Sequence, residues 1–289
     1  MHKIKKLAII GVILLIAGAV GAILTGSKEK ETVSETKKLP GDAFQSIDIE
    51  TDNARVEVVT TAESTAKAEV SGAKAKGKKY RFSASIENKT LTVRLKERYW
   101  KLFQFDLFSK PLVVKIYVPQ KHYASLKIKS DNGKVSLAQV HADVIYAASD
   151  NGRLTLNDLQ GKKFTANTSN GRVYTKNIHF ADVTLDSDNG KIELVQAKTH
   201  KTHLHTNNGS VNLESVTGEI IGRTENGKIT MQTDNLDRPI DFQTDNGGIT
   251  IKTANRPKNA AFIVTVHNGR AEIFGQEGSR VFGDGKNKN

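Results

Sequence analysis

LKIKSDNGKVSL, residues 126–137, decides how this chain folds. Apolar residues stand at Leu126, Ile128, Val135 and Leu137, alternating with polar ones on either side of Asn132-Gly133. Alternation of this kind marks strands with one buried face, and Asn-Gly marks a sharp change of direction between them. The dipeptide then recurs, at Asn151-Gly152, Asn170-Gly171, Asn189-Gly190, Asn208-Gly209, Asn226-Gly227, Asn246-Gly247 and Asn268-Gly269. The successive spacings are 19, 19, 19, 19, 18, 20 and 22, a fixed period that signals a repeat architecture.

The flanks repeat with it. Six before each Asn stand Leu126, Ile145, Phe164, Val183, Thr202, Ile220, Ile240 and Phe262, and three after stand Val135, Leu154, Val173, Ile192, Val211, Ile229, Ile249 and Ala271. Two before each Asn, on the inward register, a hydroxyl recurs from Ser130 through Ser149, Thr168, Ser187, Thr206 and Thr224 to Thr244. Buried hydroxyls need partners, which the neighbouring backbone or the next repeat can supply. Each unit reads as strand, Asn-Gly turn, strand, second turn.

Asn-Gly flanked by alternating apolar residues is also a strong hairpin signal, and an antiparallel meander or propeller competes with a solenoid. Near-identical residue columns favour stacking, so the expected fold is all-β, a parallel β-helix (solenoid) with repeats of about 19 residues. The pattern also appears upstream in IDIETDNARVEV (47–58), with Ala54 in place of Gly. Strand-like stretches follow at 66–70, 79–87, 90–96 and 112–118, with Asn88-Lys89 as a turn between two of them. Residues 41–120 then form the first rung and a β-rich N-terminal cap, 121–275 the solenoid, and 276–289 a flexible tail.

The N-terminus speaks to location. Leu7 to Leu24 is an uncharged apolar run of 18 preceded by Lys3, Lys5 and Lys6. That reads as a transmembrane helix over 7–24, with residues 1–6 cytoplasmic and the remainder outside, on a polar tether at 25–40. A cleaved signal peptide is the competing reading. The expected localisation is the cell membrane, single-pass. The net charge of +12 then points to anionic lipid or wall polymer rather than nucleic acid, with a generic solubilising charge as the competing reading.

The combination of KIYVP (115–119), LKIKSDNGKVSL and the serial S/T-D-N-G repeats resembles the putative-adhesin family of bacterial β-helix domains. With the basic N-terminus and single span, it is similar to a membrane-anchored member of a Gram-positive cell-envelope-stress operon. The resemblance implies a parallel β-helix outside the membrane, a role around envelope damage, and no catalytic residues.

Several residue sets bear on chemistry. Asp131, Asp150, Asp188, Glu225 and Asp245 precede the asparagines, and Lys134, Arg153, Arg172, Lys191, Lys228 and Arg270 follow two after them. Stacked carboxylates could hold Ca²⁺, but the two columns flank one turn and are expected to neutralise each other. His200, His203 and His205 could ligate a transition metal or lie on a solvated face. A carboxylate pair for sugar hydrolysis, a serine triad and a phosphate loop are not recognisable, so no enzyme, cofactor or metal is expected. The segment Tyr99 to Phe108 (YWKLFQFDLF) differs from the rest and holds the chain's one Trp. Tyr99, Trp100, Leu102, Phe103, Phe105, Leu107 and Phe108 either cap the solenoid or form a docking surface for a membrane-protein partner.

Overall fold

The computed structural model describes residues 30–75, 79–98, 111–236, 238–255 and 262–273, all of it strand, turn and loop without helix. The expected span at 7–24 and the tail at 276–289 lie outside these residues. No helix among the described residues is long and apolar enough to cross a membrane.

The chain is a parallel β-solenoid. The main stack comprises β8 (His122–Ser130), β9 (Val135–Ala138), β10 (His141–Ser149), β11 (Leu154–Gln160), β12 (Lys163–Thr168), β13 (Val173–Ser187), β14 (Ile192–Thr206), β15 (Val211–Thr224), β16 (Ile229–Thr233), β17 (Ile240–Thr253) and β18 (Phe262–Ile273). Pairing is parallel and one repeat out of step: Val173 lies beside Ile192, and Ile192 beside Val211. Equivalent positions therefore form ladders, as the residue columns require.

Each turn has three sides, one more than the sequence pattern shows. Along β13 the buried residues are Val173, Thr175, Ile178, Phe180, Val183, Leu185 and Ser187. Period two breaks to a step of three after Thr175 and again after Phe180. Those breaks are two corners, and Asp188–Gly190 is the third. At the first break the residue outside is left-handed in five successive repeats: Gln139, Asp158, Asn177, Gln196 and Ser215, all with φ of 53–58°. One left-handed residue shifts the alternation by one place and starts a short third face (Leu159, Ile178, Ala197, Val216), which pairs in parallel like the others.

The N-terminal end is closed by antiparallel strands. The first rung, β2 (Ser46–Thr51) and β3 (Arg55–Thr61), lies between β8–β9 on one side and β6 (Thr90–Arg98) and β7 (Val113–Pro119) on the other. Beyond them, β5 (Lys79–Glu87) pairs antiparallel with β6, β4 (Thr65–Ala75) with β7, and β1 (Lys30–Pro40) with β4. The segment expected as a tether thus contributes an edge strand from residue 30 onward. Its sequence, KETVSETKKLP, reads as solvated because an edge strand of a cap buries little, here Val33. Tyr80 of β5 donates to Glu35 of β1 at 2.6 Å across the closed end, and burial together with that contact pushes its hydroxyl up to about 12.

Candidate functional site

The Asn-Gly corner is a structural device. The Asn132 side-chain nitrogen donates to the Asn53 side-chain oxygen at 2.7 Å, and the same bond repeats upward through Asn151, Asn170, Asn189, Asn208, Asn226, Asn246 and Asn268 at 2.7–3.0 Å. Inside it runs the hydroxyl column. Ser187 Oγ accepts from Gly190 N–H at 2.8 Å and donates to the Gly171 carbonyl one rung below at 3.2 Å. Ser149, Thr168 and Thr206 do the same. The neighbouring rung does supply one partner, and in these four residues the glycine of the same corner supplies the other.

The glycines are required by stacking, not by a hairpin conformation. A Cβ on Gly190 would lie 1.5 Å from the Gly171 carbonyl oxygen, and one on Gly171 1.8 Å from that of Gly152. Ala54 fits in the first rung because the strands beneath it, β6 and β7, are not joined by an Asn-Gly pair.

The charged columns at this corner do not pair as the sequence suggests. Among the described residues no ion pair joins the two. Arg172 and Lys191 instead reach Glu193, the latter at 2.6 Å, since positions i and i+2 of a strand share a face. The carboxylates stack on one another. Burial, then the charges of Asp52 and Asp150, hold the Asp131 carboxyl above its usual range.

His203 and His205 project outward, where His205 faces Asp186 at 3.9 Å, and His200 lies apart from them on the preceding side of the turn. Among the described residues no group of three histidines, cysteines or carboxylates is placed to hold a metal ion.

The aromatic segment Tyr99–Phe108 lies outside the described residues, but both its flanks are placed. The backbone of β6 ends at Arg98 opposite Lys79, and β7 begins at Val113 opposite Ser71. β4 runs four residues past Ser71 to Ala75, where it meets Lys30, the start of β1. Gly72 sits against Pro111 and Leu112, the chain that returns from the segment. The chain N-terminal to β1 and both ends of the aromatic segment therefore open from one corner of the capped end. Exposed Lys79 and Arg81 lie on the adjoining strand.

A second surface was not visible in the sequence. Along the left-handed corner runs a trough made of two adjoining cavities, about 370 and 770 Å³, that share His141 and Asp158. It extends from Thr60 in the first rung to Thr217 in β15. Exposed Gln139, Lys176, His179 and Lys198 line it, and Asp158 accepts from Asn177 at 2.6 Å. The signal available was the column seven after each Asn, but Gln, Asp, Asn, Gln and Ser share no obvious chemistry until their common φ is known.

The Toastrack DUF4097 family profile matches residues 44–289. Two solved structures share the fold. A putative adhesin from Parabacteroides distasonis is 14% identical, with 84% of this chain and 97% of that one covered and a TM-score of 0.57. A putative lipid binding protein from the same organism is 15% identical, with 83% and 96% covered and a TM-score of 0.52. No curated protein matches the chain.

Proposed function

This chain belongs to the Toastrack DUF4097 family, and from that premise we propose that it is a non-catalytic, membrane-anchored interaction protein of the bacterial envelope. Residues 7–24 hold it in the cell membrane as a single span with the N-terminus cytoplasmic, and the solenoid stands outside. It works in the response to envelope stress by engaging another membrane protein through Tyr99–Phe108.

One observation carries this reading. The start of β1 and both flanks of the aromatic segment open from the same corner of the capped end. A span attached to β1 brings that corner toward the bilayer, and with it Trp100, Phe103 and Phe105. Tethering of this kind raises effective concentration, so modest intrinsic affinity suffices.

The test is cross-linking of the full-length protein in living cells, with and without a wall-active antibiotic. A discrete membrane protein should be captured. Replacing Trp100, Phe103 and Phe105 together by Ser should abolish its capture while the circular dichroism and melting of the solenoid stay unchanged. Capture that survives the triple substitution rules out this segment as the docking surface.

A further inference from the structure

The trough on the left-handed corner is independent of the anchor and of the aromatic segment, and it is organised differently. Five successive turns each place one residue there with φ near 55°, from Gln139 to Ser215. Successive turns are spaced like neighbouring strands, roughly 4.8 Å, so these five span roughly 20 Å along the solenoid axis. Non-glycine residues in this conformation are unfavourable by about 1 kcal/mol or more each, so the corner is held by the stack around it.

The lining selects a ligand class. Lys176 and Lys198 line the trough on adjacent turns, one just before the left-handed residue of its turn and the other just after that of the next. The single lining carboxylate, Asp158, is already engaged by Asn177. Gln160, Gln196 and His179 add hydrogen-bonding groups to the lining. No Phe, Tyr or Trp ring lines either cavity, so a neutral sugar lacks its usual stacking platform here. A long trough lined by amide side chains, with two ammonium groups on adjacent turns, matches an extended molecule that carries more than one negative charge.

We propose that this trough binds an extended anionic polymer, laid along the solenoid axis with its phosphate or carboxylate groups against Lys176 and Lys198. Lysine suits this role because its ammonium acts as a point charge on either group. The whole chain carries a charge of +12, so the site must be distinguished from general attraction.

The experiment uses the full-length protein in vesicles of zwitterionic phosphatidylcholine, titrated with poly(glycerol phosphate), with polygalacturonate and with neutral dextran. At least one polyanion should bind, dextran should not, and the stronger of the two polyanions identifies phosphate or carboxylate as the recognised group. The double variant Lys176→Gln/Lys198→Gln should weaken binding on the order of tenfold. The double variant Lys134→Gln/Arg153→Gln, which removes the same charge from the Asn-Gly corner, should leave it within about twofold. Equal loss in both double variants, equal binding of dextran, or no binding of either polyanion would overturn the proposal. Survival of binding after the aromatic triple substitution separates this site from the docking segment.

Discussion

At the scale of the residue, the corners show which identities the fold cannot exchange. Gly190 has no room for a methyl group, because the carbonyl oxygen of Gly171 would lie 1.5 Å from it. Gly190→Ala should lower stability by about 3 kcal/mol, at the upper end for overpacking, as read by urea denaturation. A variant within about 0.5 kcal/mol of the parent would mean that the turns are not stacked this closely. Asp131 illustrates the charged column. Its raised pKa means that the folded chain holds the proton more tightly than the unfolded chain does. Its contribution to stability is therefore most favourable below the unfolded pKa and declines as pH rises through the carboxylate range. Asp131→Asn should raise the melting temperature at neutral pH, and the two proteins should converge in acid. A lower melting temperature at neutral pH would indicate that the carboxylate is paired.

At the scale of the element, the two kinds of turn separate cleanly. Asn88 and Lys89 both have positive φ, 48° and 58°, and join β5 to β6 as a true antiparallel hairpin. Lys89→Gly should stabilise the cap by about 1 kcal/mol, since glycine takes that conformation without the steric penalty of a side chain. No gain in thermal melting would contradict the assignment. The Asn-Gly pairs of the main stack are, by contrast, parallel corners. Their role was legible in the column of Ser and Thr at Ser130 to Thr244, which made sense only if equivalent residues stack. The third side was not legible. Its inward positions include Ala142, Gly161 and Thr199, which do not read as a strand, and Gly161 is small because a Cβ there would lie 1.8 Å from the Ala142 carbonyl oxygen of the rung below. β1 was hidden by charge, as edge strands are.

At the scale of the whole molecule, a stack of similar turns gains its stability from interfaces between neighbours, and its two ends and outer surfaces are free to differ. Here the N-terminal end is closed by β1, β4 and β5, and β1 begins at the corner where the described flanks of the aromatic segment lie. The sequence singled out that segment by composition, and the register of its flanks adds where it emerges. The trough needed the structure, because its residues share a backbone conformation and not a residue type. Both functional readings depend on parallel stacking at one repeat per turn. The chain has no cysteine, so paired substitutions can test that without interference. Thr184 and His203 are neighbours across the β13–β14 interface, whereas Asp186 and Glu193 would face each other only if Asn189-Gly190 closed a hairpin. Thr184→Cys/His203→Cys should form a disulfide on mild oxidation with native melting retained, and Asp186→Cys/Glu193→Cys should remain reduced. Ready oxidation of the second pair with none in the first would contradict the solenoid.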